Sequence, residues 1–170
     1  MTTRKILVAY ASKSGSTREV AETIAEELRL SEFDVTVHDA EELQDLSGYD
    51  AAVIGSALYS FRWRPAAINL LKGQVKSGGK MPLWLFQTGP LEKVADGSGV
   101  GTPGKVHRLA SAAGAAPPTT FGGRIEPGTA QGFMARKMAT GPKAGDYRDF
   151  PQIRRWADGI AAQLAIPTRR

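Results

Sequence analysis

The chain alternates between two hydrophobic periods from its first residues. Ile6 to Ala11 is an unbroken apolar run, the pattern of a strand buried on both faces. Thr17 to Leu30 then carries Val20, Ala21, Ile24, Ala25 and Leu28 at the spacing of one helical face, with Arg18 and Glu22 an i,i+4 pair on the other. Phe33 to Val37 predicts a second strand, short and alternating, and Asp39 to Gly48 an acidic connector. Ala51 to Gly55 is another buried strand. Pro65 suits the first turn of a helix running to about Val75, with Ala67, Ile68, Leu70 and Leu71 on its buried side. Pro82 to Phe86 reads as a fourth strand that ends at Gln87-Thr88-Gly89-Pro90.

Beyond this point glycine is dense. Gly97 to Gly104 reads as a loop, Val106 to Ala113 as a short helix, and Thr119 to Phe121 as a fifth strand stopping at Gly122-Gly123. Gly128 to Gly145 is ambiguous, with Phe133, Met134 and Met138 suiting a helical turn or two. The last helix is clear: Ile153, Trp156, Ala157, Ile160, Ala161 and Leu164 share a face, with Asp149 and Pro151 at its entry. Strand and helix alternating about five times predict an α/β fold. Its parallel sheet is doubly wound, with helices on both faces. A single domain over residues 1–170 is expected, since no repeat or second compositional regime interrupts the pattern.

Composition narrows the chemistry. The chain has 170 residues and no cysteine, which excludes disulfides, thiolate metal sites and a cysteine nucleophile. His38 and His107 stand alone, without ligand-spaced partners, so no metal site is expected. The apolar run at Ile6 is too short for a signal peptide core, and no stretch approaches the roughly 20 apolar residues of a membrane span. A cytoplasmic protein is expected.

The formal charge of +5 is weighted to the end of the chain, through Arg136, Lys137, Lys143, Arg148, Arg154, Arg155, Arg169 and Arg170. These charges read either as a solvated surface or as attraction to an anionic partner: a lipid head group at the membrane periphery, an acidic protein or a carboxylated substrate. They lack the interleaved aromatics of a nucleic-acid surface.

One segment carries specific chemistry. Ser12-Lys13-Ser14-Gly15-Ser16-Thr17 lies between a buried strand and an amphipathic helix. A helix N-terminus offers unpaired amide donors and the positive end of a dipole, so it stabilises an anion. Hydroxyls add donors, and Gly15 lets the backbone come close. A helix cap needs one hydroxyl, whereas four occur here in six residues, at the strand end where doubly wound folds bind ligands. A terminal phosphate monoester fits this loop.

Two other nucleotide motifs compete poorly. Gly99-Val100-Gly101-Thr102-Pro103-Gly104-Lys105-Val106 falls one residue short of a nucleoside-triphosphate loop, because Val106 stands where the Mg²⁺-binding hydroxyl is required. Nothing like G-x-G-x-x-G follows the first strand, which argues against NAD or FAD held by its pyrophosphate.

With these residues the sequence resembles the flavodoxin family. Ser12 to Thr17 is similar to that family's phosphate loop, [ST]-x-[ST]-G-x-[ST]. Gly55-Ser56-Ala57-Leu58-Tyr59 and Gln87-Thr88-Gly89-Pro90 fall where the family places its two flavin loops. The resemblance implies strand order 2-1-3-4-5 and FMN as cofactor. Its phosphate would lie on Ser12, Lys13, Ser14, Gly15, Ser16 and Thr17. Its ring would lie against the backbone of Ser56, Ala57 and Leu58 and against the Tyr59 side chain, with Gln87, Thr88 and Gly89 at the pyrimidine end. Trp63 is a second stacking candidate. Arg62 and Arg64 are candidates for a substrate carboxylate or an anionic surface.

Within the family the sequence looks most like the branch containing menaquinone-dependent protoporphyrinogen IX dehydrogenase. That likeness rests on Val53-Ile54-Gly55-Ser56-Ala57 with its basic aromatic sequel, on Phe121-Gly122-Gly123-Arg124-Ile125, and on Gly145-Asp146-Tyr147-Arg148-Asp149-Phe150. It implies an FMN oxidoreductase acting on a small molecule such as a porphyrinogen and delivering electrons to a quinone. The alternatives are an electron carrier with a redox protein as partner, and a binding module without flavin. Two features depart from the carriers: the chain is basic where they are acidic, and the second flavin loop lacks their Gly-Asp pattern.

Overall fold

A computed structural model describes residues 3–13, 15–89, 101–125, 145–146 and 148–166. Five strands form one parallel sheet: β1 (Lys5–Ala11), β2 (Asp34–Asp39), β3 (Ala51–Ala57), β4 (Leu83–Gly89) and β5 (Thr119–Gly122), in the order β2-β1-β3-β4-β5. The order and parallel sense agree with the expectation. Among the described residues the helices are α1 (Ser16–Leu30), α2 (Pro65–Lys76), α3 (Gly104–Ala112) and α4 (Phe150–Ala165). A short 3-10 turn, Ala40–Glu42, interrupts the acidic connector, with the Asp39 carboxylate accepting from the Glu41 amide.

Strand alternation divides the core into two layers. Ile6, Val8, Val53, Phe86 and Phe121 point to one side, where Val20, Ile24 and Leu28 of α1 and Ile153, Ala157 and Ile160 of α4 cover them. Leu7, Ala9, Ile54 and Leu85 point to the other, under Ile68 and Leu71 of α2 and Val106 of α3. Phe86, Phe121 and Trp156 form an aromatic trio in the first layer, with ring centroids 5.5–6.1 Å apart. Gly55 makes room for it: a Cβ there would lie 2.0 Å from the Phe86 ring.

The fourth strand runs further than its apolar pattern predicts. Gln87, Thr88 and Gly89 belong to β4, paired with Thr120, Phe121 and Gly122 of β5. Their polar side chains mimic a loop in the sequence, but the ladder and side-chain bonds satisfy them internally. Similarly, α3 begins at Gly104, two residues before its first buried apolar side chain. A two-residue antiparallel pair, β6 (Arg124–Ile125) with β7 (Gly145–Asp146), follows β5. The 97–100 part of the expected glycine loop, and the ambiguous stretch up to residue 144, lie outside the described residues. No helix among the described residues is long and apolar enough to cross a membrane.

Candidate functional site

At the carboxyl edge of the sheet, β1 passes through Ser12 and Lys13 to Gly15 and into α1. Gly15 adopts φ +84°, a left-handed conformation that L side chains resist. It is the N-cap and, having no side chain, makes no side-chain cap bond itself. The first intrahelical bond is donated by the Glu19 amide to the Gly15 carbonyl, so the amides of Ser16, Thr17 and Arg18 precede the helical ladder. The Ser12 hydroxyl accepts from the Gly15 amide at 3.2 Å and so ties the loop to itself. Ser14 lies outside the described residues.

Thr17 faces the sheet. Its buried hydroxyl shares a 2.8 Å hydrogen bond with the Thr88 hydroxyl, joining the first turn of α1 to the end of β4. The Leu58 amide donates to the Thr88 carbonyl at 2.8 Å, which brings the β3 connection to the same corner. The Lys13 ammonium sits 4.5 Å from the centroid of the Tyr59 ring. The structure therefore gathers Ser12, Lys13, Gly15, Ser16, Thr17, Leu58, Tyr59 and Thr88 at one edge.

The chain after β3 makes a tight turn. Tyr59 and Arg62 exchange backbone hydrogen bonds of 2.9 and 3.0 Å, and the two residues between them, Ser60 and Phe61, take φ +49° and +58°. This is the backbone of a primed hairpin turn, which normally favours glycine or asparagine. Ser56 fixes the other end of the connection. Its buried hydroxyl donates to the Ala57 carbonyl and accepts from the Arg64 amide, the N-cap of α2.

Two of the candidate residues lie inside the fold. Trp63, expected to stack on a ring, is 5% exposed and packs in the α2–α3 layer. Its indole N–H donates to the Gln87 side-chain oxygen at 3.0 Å. Gln87 in turn donates to the Thr120 hydroxyl at 3.0 Å, so its side chain is an internal strut and does not face the edge. The apolar body of Trp63 buries readily once Gln87 supplies a partner for its N–H. Arg62 is exposed, and Arg64 is half-buried at the helix entry. Gly89 accepts from the Gly123 amide at 2.6 Å; a Cβ on Gly123 would lie 3.0 Å from that carbonyl.

Arg148 was grouped with the basic surface, yet its side chain is 5% exposed. It forms a paired contact with Asp146 of β7, at 2.7 and 2.9 Å, and an ion pair with Glu19 in the first turns of α1. It also lies 5.1 Å from the Phe150 ring centroid. The Asp146 carboxylate raises its pKa above the ordinary value, burial opposes that shift, and Glu19 adds to it. Periodicity gives no sign of this clamp, because Glu19, which draws the side chain inward, lies 129 residues earlier.

The chain is thus a doubly wound α/β protein with a glycine-entered helix at the carboxyl edge of its sheet. The chain matches the family model described as a flavodoxin domain over residues 7–117, and it belongs to that family.

No curated protein matches it. Oxidised flavodoxin 1 from Bacillus cereus superposes with a TM-score of 0.62 at 14% identity, over 96% of this chain and 99% of that one. The flavodoxin of Fusobacterium nucleatum bound to flavin mononucleotide gives 0.51 at 16%, over 66% and 68%. The rubredoxin oxygen:oxidoreductase of Desulfovibrio gigas gives 0.65 at 16%, over 96% of this chain; the match spans only 38% of that longer chain.

Proposed function

We propose that this protein binds FMN at the carboxyl edge of its sheet and works as a redox flavoprotein. The observation that carries the reading is the N-terminus of α1, entered through left-handed Gly15 with the Ser16, Thr17 and Arg18 amides ahead of the helical ladder, in a chain of the flavodoxin family. The amides of Ser16, Thr17 and Arg18, the hydroxyls of Ser12, Ser14 and Ser16, and Lys13 would hold the phosphate. Thr17 contributes its amide, while its side chain holds the loop against β4. Ala57, Leu58 and Gly89 would line the ring edge, and Tyr59 would offer a flat wall. Bound there, FMN supplies one- and two-electron transfer.

The buried Ser56, Gln87 and Thr120 bonds hold the strands that carry that edge. Adding FMN to the purified apoprotein tests the reading. Uptake should shift and structure the flavin absorbance and quench its emission. Equal affinity for riboflavin and FMN would rule out a phosphate site.

Family membership favours an electron carrier. A second reading, an oxidoreductase resembling protoporphyrinogen dehydrogenase with a quinone acceptor, draws on one observation. Two of the segments behind that resemblance, 121–125 and 145–150, meet in the β6–β7 pair, Arg124 opposite Asp146 and Ile125 opposite Gly145. Arg148 then joins them to α1. Quinone-dependent oxidation of protoporphyrinogen by the FMN-loaded protein would establish this activity, and its absence with intact flavin would leave the carrier.

A further inference from the structure

We infer that the turn Tyr59–Arg62 is a preformed docking knob for an acidic protein surface. The inference rests on the FMN reading only in that the knob stands beside the edge assigned to the flavin.

Phe61 is 54% exposed and Tyr59 is 37% exposed, and they stand two residues apart in one turn. Apolar rings on a flexible loop would fold onto the protein and lose that exposure. This turn cannot do so easily, because the Tyr59 and Arg62 backbones lock it from both sides. Its base is equally firm: Trp63, next in the chain, is buried and bonded to Gln87, and the Arg64 amide is held by Ser56. Ser60 and Phe61 both sit in the left-handed region to achieve this, a conformation that burdens any residue with a Cβ. A large aromatic held at such a position with about half its surface open is available for contact. Aromatic and arginine side chains on a rigid base are the chemistry of interface hot spots.

Charge selects the partner. The stretches 12–18, 56–64 and 101–112 contain no aspartate or glutamate. Arg62 is exposed on the turn itself, and Lys13 lies over Tyr59. The tip of the Phe61 ring faces Gly101, and α3, which begins three residues later, exposes Lys105 and Arg108. Two rings with Lys13 and Arg62 beside them are complementary to an apolar spot ringed by carboxylates.

The test uses the FMN-loaded protein, with flavin uptake scored first and separately so that failure of the cofactor reading is visible by itself. Binding is measured by surface plasmon resonance to an acidic two-iron ferredoxin, with basic cytochrome c as the control. The ferredoxin should bind, and its affinity should weaken about tenfold between about 20 and about 200 mM salt as the charges are screened. Phe61→Gly removes the ring and suits the left-handed turn, so it should keep its fold and flavin uptake while losing several-fold in affinity. Arg62→Glu should lose more. Equal affinities for ferredoxin and cytochrome c, an unchanged Phe61→Gly, tighter binding to anionic lipid vesicles than to ferredoxin, or a dimer that buries Phe61 would each overturn the proposal.

Discussion

The hydroxyls of Thr17 and Thr88 share one buried hydrogen bond of 2.8 Å, and that bond joins the first turn of α1 to the end of β4. Replacing either threonine with valine strands the other hydroxyl in the core. Each single variant should lose about 1–3 kcal/mol of unfolding free energy, and the double variant less than the sum. Urea denaturation of the four proteins checks this. FMN affinity should fall in the single variants as well, because α1 loses its anchor to the sheet.

Gly15→Ala places a Cβ at φ +84°, where nothing obstructs it but the backbone conformation is costly. About 1 kcal/mol of stability should be lost. The change should also weaken FMN, while weak riboflavin binding stays the same. Parallel fluorescence titrations with the two flavins separate the phosphate effect from a general one.

Arg148→Met removes the cation shared by Asp146 and Glu19. Both carboxylates are partly exposed, so the stability cost should be about 1–2 kcal/mol, below that of a fully buried pair. Glu19 would then stand uncompensated close to the phosphate loop, and FMN affinity should fall more than riboflavin affinity. Adding Glu19→Gln should recover much of the FMN loss. Isothermal titration of the single and double variants decides the matter.

Glu27, on α1, faces Asp158 and Arg154 of α4. Burial raises its pKa, and hydrogen bonding and charge repulsion from Asp158 add to this, while Arg154 opposes it. A carboxyl raised in the folded state stabilises the fold below its unfolded pKa, and loses that contribution as pH rises through the folded value. Acidifying from neutral pH toward the ordinary glutamate range should therefore strengthen the α1–α4 contact. Glu27→Gln should flatten this part of the pH profile of the melting temperature, recorded by circular dichroism.

Much of the fold is legible in the sequence because buried parallel strands are continuous apolar runs: Ile6–Ala11 and Ala51–Gly55 can hardly be anything else. The end of β4 was hidden because Gln87 and Thr88 are polar and yet internal, satisfied by Trp63, Thr120 and Thr17 from three other segments. The burial of Trp63 is hidden for the same reason. Flanked by arginines, it looks like a surface ring, and only Gln87, 24 residues away, makes its burial affordable. Arg148 is the extreme case. Glu19, 129 residues earlier, turns an apparent surface charge into an internal clamp. Local pattern reports which residues avoid water; it does not report which polar groups find each other.

The guanidinium of Arg4, just ahead of β1, donates to the carbonyl of Leu164 near the end of α4 at 2.6 Å. Strands and crossover helices run in opposite directions, so this contact lies at the amino edge of the sheet, away from Gly15 and Tyr59. A tether or label attached beside Arg4 or Leu164 would therefore stand away from the edge where electrons would be exchanged. Immobilisation on an electrode through that pole would leave the opposite edge open.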